Sequence, residues 1–186
     1  MIQQKHLDLL LELDTDKNPH SGGALLDHLR GTHDLLQAWG NDPAVCVGGL
    51  FHSIYGTQAY LTQSASLEDR QRIRAVIGER AERLAFLFCV SNRSEFFEAV
   101  GKDGATLWNR IHEVAAPVTQ DELRDLIEME LANYVEFMPR LPFTDDELTG
   151  FEAKVEHHRG LITARSYTAV KAAIENKRRC MSGTGA

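Results

Sequence analysis

Three cysteines, five prolines and no long apolar run in 186 residues set the first limits. Cys46, Cys89 and Cys180 are odd in number and far apart. That pattern supports neither a disulfide framework nor a paired-cysteine zinc site. Cys46 and Cys89 lie inside apolar runs and read as buried, reduced thiols. No stretch approaches the roughly 18 apolar residues that a membrane helix needs. The opening Met1-Ile2-Gln3-Gln4-Lys5-His6 lacks the basic and apolar regions of a signal peptide, so the expectation is a cytoplasmic protein with no membrane partner. Basic charge is also scarce: 20 Lys and Arg stand against 27 Asp and Glu, a formal net charge of −7. A nonspecific grip on phosphate backbones needs clustered cations, so nucleic acid is excluded as a partner. The one dense basic run, Lys177-Arg178-Arg179, closes a helix and complements its dipole. Internal repeats and low-complexity tracts are absent. One domain is expected over residues 1–180, with residues 181–186 as a frayed tail.

What is present is helical periodicity. Leu7, Leu9, Leu10, Leu11 and Leu13 mark a first helix, ended by turn residues at 14–19. Ala24 to Trp39 reads as a long helix that Gly40-Asn41-Asp42-Pro43 stops, and Asp42 with Pro43 starts the next, running to about Tyr55. Small residues fill that helix (Ala44, Cys46, Gly48, Gly49), which lets neighbouring backbones approach closely. Ser66 with Asp69, Thr119 with Glu122 and Thr144 with Glu147 are capping boxes that open later helices. Gly78 separates two of them. Residues 91–118 carry mixed signals and read as loops with one short helix around Leu107-Trp108. Phe96, Phe97 and Trp108 are read as core. With no convincing alternating strand, the fold class is all-α, a single compact helical bundle.

His28 shares the row Leu25, Thr32, Leu35 and Trp39, so its imidazole points inward with apolar neighbours. His33, five positions on, is rotated by about 140° and faces elsewhere. His52 closes the run Val45 to Phe51 and is followed by Ser53. A lone histidine on an apolar face is ordinarily a core residue satisfied by one hydrogen bond. Two on adjacent helices make a candidate metal pair.

The stretches His20-Ser21-Gly22-Gly23-Ala24-Leu25-Leu26-Asp27-His28-Leu29 and Gly48-Gly49-Leu50-Phe51-His52-Ser53-Ile54-Tyr55-Gly56-Thr57 resemble the opening of the HD-domain phosphohydrolase superfamily. In that superfamily one His, a His-Asp pair and a later Asp hold a metal in a helical bundle. The order is closest to the hydrolase domains of the guanosine tetraphosphate enzymes. Segments 20–39, 51–57 and 72–89 are also similar to an uncharacterised bacterial and fungal family. The resemblance implies that His28 is the first metal histidine and His52 the histidine of the pair. Ser53 stands where the paired Asp belongs, and Asn133 replaces the later carboxylate. Gly56 and Thr57 occupy the place of a further acidic pair, so the resemblance does not by itself imply the guanosine tetraphosphate reaction.

Losing two carboxylates leaves a hard ion such as Mg²⁺ poorly compensated. Glu130, one helical turn before Asn133, can supply a carboxylate, whereas Asp34 and Glu128 are expected on a solvated face. His20 can serve as a third imidazole or a substrate contact. Such a donor set suits Zn²⁺ or Fe²⁺, with Mn²⁺ as the harder option. The resemblance thus implies a metal-dependent hydrolase acting on a small phosphorylated molecule or nucleotide. His28, His52 and Asn133 would bind the metal, Ser53 and Glu130 would act in catalysis, and His20, Ser21, Arg30 and Tyr55 would contact substrate. The alternative is a noncatalytic domain of the same fold that binds a small ligand or serves as a scaffold.

Overall fold

The computed structural model describes residues 1–20 and 23–183. Its elements in chain order are α1 (Gln4–Glu12), β1 (Pro19–His20), β2 (Gly23–Ala24), α2 (Leu25–Trp39), α3 (Pro43–Leu50), α4 (Arg70–Ile77), α5 (Glu79–Val90), α6 (Arg93–Glu98), β3 (Thr106–Asn109), β4 (Val114–Pro117), α7 (Gln120–Phe137), α8 (Asp145–His157) and α9 (Ala164–Gly183). The chain is mainly helical, as its periodicity requires. Among the described residues no helix is long and apolar enough to cross a membrane.

Local chemistry sets the helix ends. Gly40 adopts φ +84° and terminates α2, since a left-handed residue costs glycine nothing sterically. Asp42 then accepts a hydrogen bond from the Ala44 amide at 2.8 Å and caps α3, with Pro43 in the first turn. Gly78, at φ +90°, divides α4 from α5. The three capping boxes all form, at Ser66, Thr119 and Thr144. Cys46 and Cys89 are buried and unbridged.

Helices α2, α3, α5 and α7 form the centre, with α4 on α5 and with α8 and α9 beside α7. Most of α7 is buried, including every residue from Leu126 to Asn133, so this helix is enclosed on all sides rather than one. Close approach depends on glycines. A Cβ on Gly49 would lie 2.4 Å from Leu36 Cδ1 of α2, and one on Gly48 would lie 3.2 Å from Leu84 Cβ of α5.

Several expectations need correction. Helix α3 stops at Leu50, and residues 51–55 form turns that carry His52 and Ser53. Residues 91–118 hold helix α6 and an antiparallel hairpin in which Leu107 pairs with Ala116 and Trp108 with Ala115. Leu107 and Asn109 point inward while Thr106 and Trp108 point outward, a period of two kept over only four residues. Asn109 shapes the turn by accepting from the amides of Ile111 and His112. Phe96 and Phe97 are core residues, but Trp108 is 46% exposed. Glu128 is buried rather than solvated and accepts from Asn41, Thr163 and Ser166, which pins α9 to α7. Helix α9 continues through Met181 to Gly183. The basic run within it grips neighbours: Lys177 reaches the Leu141 carbonyl and Arg178 reaches Glu152 and Asp145 of α8.

Candidate functional site

His28 on α2, His52 in the turn after α3 and Asn133 on α7 meet at one point in the core, all three almost fully buried. His28 Nε2 lies 3.1 Å from His52 Nε2 and 3.1 Å from Asn133 Oδ1, and His52 Nε2 lies 3.2 Å from the same oxygen. The outer atom of each group fixes what the inner atom is. His52 Nδ1 donates to the Gly49 carbonyl at 2.6 Å, and His28 Nδ1 donates to the Glu136 carboxylate. Each Nδ1 faces an acceptor and so carries the proton, which leaves the Nε2 lone pairs directed inward. Asn133 Nδ2 donates to Glu130 Oε2 at 3.1 Å, which turns the amide oxygen toward the imidazoles. Three acceptor atoms therefore converge with no donor among them.

The surrounding charges are layered. Glu136 receives His28 and, at 2.6 Å, Arg140. Burial pushes its carboxyl up, but His28 and Arg140 outweigh this and hold it below the usual carboxylate range. Burial raises Glu130 despite Arg93, whose Nη1 stands 3.4 Å away, and Asn133. His52 is driven well below the ordinary imidazole value by burial and by His28. The approach of Glu136 requires Gly31, because a Cβ there would lie 2.7 Å from Glu136 Cγ.

His20 is placed by the β1–β2 pairing, in which it faces Gly23, and its ring stacks on His28 with centroids 4.3 Å apart. Tyr60 meets the other side of His20 edge-on at 4.8 Å. Burial, then His28, lowers His20 to about 4. A cleft of about 350 Å³ opens here, lined by His20, Tyr60, Arg93, Asn133, Phe137 and Leu141.

The other sequence-derived residues fall elsewhere. Ser53 is buried beside His52 in the chain, but among the described residues no hydrogen bond joins its hydroxyl to the imidazoles or to Asn133. Tyr55 points away and donates to the buried Glu82 at 3.2 Å, which the partly exposed Arg70 and Arg74 also grip. Arg30 is exposed on α2, about 200° round the helix from His28. Ser21 lies outside the described residues. Glu136, Arg140, Arg93 and Tyr60 were not anticipated. Glu136 lies one helical turn beyond Asn133 on α7, a spacing that was readable, whereas Arg140 lies in the turn that follows the helix. Arg93 and Tyr60 had none.

Among the described residues no three His, Cys, Asp or Glu side chains cluster as a metal set. The donor set is instead two imidazole nitrogens and one amide oxygen. Ligands about 2.1 Å from one ion stand about 3.0 Å apart at octahedral angles and about 3.4 Å at tetrahedral angles, so the observed triangle fits either. Glu136 and Glu130 supply negative charge one layer out, each offset by an arginine. That balance suits an ion content with neutral nitrogen donors better than Mg²⁺.

Paired histidines held between the helices of a bundle mark the site, and the fold around them has a solved counterpart. A solved structure of a metazoan ortholog of SpoT, described as hydrolysing ppGpp and playing a role in starvation responses, superposes with a TM-score of 0.55 at 8% identity, over 95% of this chain and 97% of that one. A family model described as a domain of unknown function (DUF6817) matches residues 9–93, which include His20, His28 and His52 but not Asn133 or Glu136. No curated protein sequence matches the chain.

Proposed function

We propose that the protein is an HD-like metal-dependent hydrolase of a small phosphorylated molecule or nucleotide, with His28, His52 and Asn133 holding a single Zn²⁺, Fe²⁺ or Mn²⁺ ion. The observation that carries this reading is the convergence of three acceptor atoms with no donor between them. Facing lone pairs in a low-dielectric interior repel one another, and a cation at their centre removes the repulsion. Such an ion supplies Lewis acidity and positive charge to a phosphate ester. The chain's own groups prepare the site for it. Glu136 and the Gly49 carbonyl fix both imidazole tautomers, and Glu130 orients the Asn133 amide while adding negative charge. The adjacent cleft falls in the size range of small-molecule sites. The HD-like fold, shared with a protein described as acting on ppGpp, supports a phosphorylated ligand as the substrate class.

A second reading has its own observation. No carboxylate oxygen belongs to the triangle, and a proton on one Nε2 turns it into a donor to the other two acceptors, which would hold α2, α3 and α7 in register without catalysis. The test is release of inorganic phosphate from a panel of nucleotides and sugar phosphates by protein loaded with Zn²⁺, Fe²⁺ or Mn²⁺. Turnover that requires the ion and disappears in His52→Gln supports the hydrolase. Absence of turnover across the panel leaves the noncatalytic domain as the better account.

A further inference from the structure

Six buried side-chain polar atoms among the described residues lack a hydrogen-bond partner, and three of them, His20 Nδ1, Tyr60 Oη and Arg93 Nε, belong to residues lining the cleft beside the imidazole triangle. Buried polar groups are nearly always paired, so three exceptions around one cleft call for a reason. Their surroundings show that the cluster is held in place. Thr57 Oγ1 accepts from the Tyr60 amide at 3.0 Å and from Arg93 Nη2 at 3.3 Å, which ties the Tyr60 turn to the start of α6. The Thr57 amide closes the same turn on the Tyr60 carbonyl. Arg93 also faces Glu130 and lies over the Phe88 ring, so two of its nitrogens are engaged and Nε is left over.

The geometry points to an oxyanion site in which Arg93 Nε, Tyr60 Oη and His20 Nδ1 donate to separate oxygens of one phosphate group. This deepens the proposed function, since it rests on a phosphorylated ligand entering the same cleft, but binding here requires no metal. The three donors come from three different segments: strand β1, the loop between α3 and α4, and the first residue of α6. A tetrahedral oxyanion offers at least three acceptor oxygens to such a set, whereas a carboxylate offers two. Arg93 supplies the permanent charge, and the unpaired His20 Nδ1 supplies one N–H. Glu130 stands 3.4 Å from Arg93 Nη1, on a different nitrogen from the unpaired Nε, so the ion pair leaves that donor available. Phe137 and Leu141 complete the wall and leave room for the esterified remainder of the molecule.

The experiment is calorimetric titration of chelator-treated, metal-free protein with inorganic phosphate and, separately, acetate, repeated on Tyr60→Phe, His20→Gln and Arg93→Gln. Saturable phosphate binding in preference to acetate, weakened about tenfold by Tyr60→Phe and further by Arg93→Gln, is the expected result. Tyr60→Phe removes a single oxygen and so keeps the test independent of misfolding. Phosphate that fails to saturate, acetate that binds equally well, or affinity unchanged in all three variants overturns the site. Titration of the same metal-free protein with Zn²⁺, Fe²⁺ and Mn²⁺ separates the two readings. Metal uptake without phosphate binding sinks this inference alone, and phosphate binding without metal uptake sinks only the metal centre.

Discussion

Glu136 holds His28 by Nδ1, and that contact sets the direction of the lone pair that faces His52 Nε2 at 3.1 Å. Three helices thus contribute to the chemistry of a single imidazole: α2 carries it, α7 fixes its tautomer, and the end of α3 brings its neighbour. Disturbing the outer contact should be felt at the centre.

Replacing Glu136 by Gln removes the charge while keeping the shape. Outer partners of metal-binding histidines affect affinity by about 10–100-fold when changed. Glu136→Gln is expected to weaken Zn²⁺ binding within that range, measured by competition with a chromophoric chelator. Unchanged affinity would show that the carboxylate has no part in ion binding.

Gly31 is the second handle on the same contact. An added methyl inside a helix ordinarily gains about 1 kcal/mol over glycine. Here the Cβ meets Glu136 Cγ at 2.7 Å, and overpacking costs about 1–3 kcal/mol. Gly31→Ala is therefore expected to be neutral to destabilising by up to about 2 kcal/mol in urea denaturation, and to lower metal affinity in the same direction as Glu136→Gln.

Acid should weaken the fold earlier than carboxylates alone would cause. His20, His52 and His6 all have pKa values below the ordinary imidazole value, with burial the largest cause in each. The unfolded chain then binds more protons below about pH 6.5, so the stability these groups contribute is present above that value and is lost as pH falls toward about 4. Glu130, raised by burial, acts with the opposite sign, so a variant is needed to isolate the imidazoles. Urea midpoints at pH 7.5 and pH 5 should differ less for His20→Gln than for the wild type. An equal difference would remove His20 from the account.

The Glu82 cluster should prove purely structural. Glu82 is fully buried, while its partners Arg70 and Arg74 are 26% and 41% exposed and can rehydrate once released. Glu82→Ala is expected to cost about 2–3 kcal/mol, less than for a fully buried pair. Tyr55→Phe should cost about 1 kcal/mol. Neither change should alter metal or phosphate binding. A loss of ligand binding in Tyr55→Phe would return Tyr55 to the substrate contacts.

Where the chain signals its structure locally, the sequence was readable. Capping boxes at Ser66, Thr119 and Thr144, the Asp42-Pro43 start and the break at Gly78 depend on residues within a turn of one another, and all are present. The row containing His28 placed its ring inward correctly, and the resemblance brought His52 and Asn133 to the same place. The hairpin at residues 106–117 escaped because four-residue strands leave too short an alternation among glycines. Tyr55 and Arg30 were misleading for a different reason. Polar density in a segment says nothing about direction, and α3 ends five residues before Tyr55, which redirects everything after it. Arg93 and Tyr60 reach the cleft through tertiary packing alone, without any spacing to betray them.

The most direct test of the central claim is the metal content of protein purified without a histidine tag, measured by elemental mass spectrometry beside His28→Gln and His52→Gln. The account predicts close to one Zn, Fe or Mn per chain, retained through dialysis and lost in both variants. Wild-type protein that carries no transition metal and takes up none on titration would contradict it, and the triangle of His28, His52 and Asn133 would then be a proton-bridged structural core.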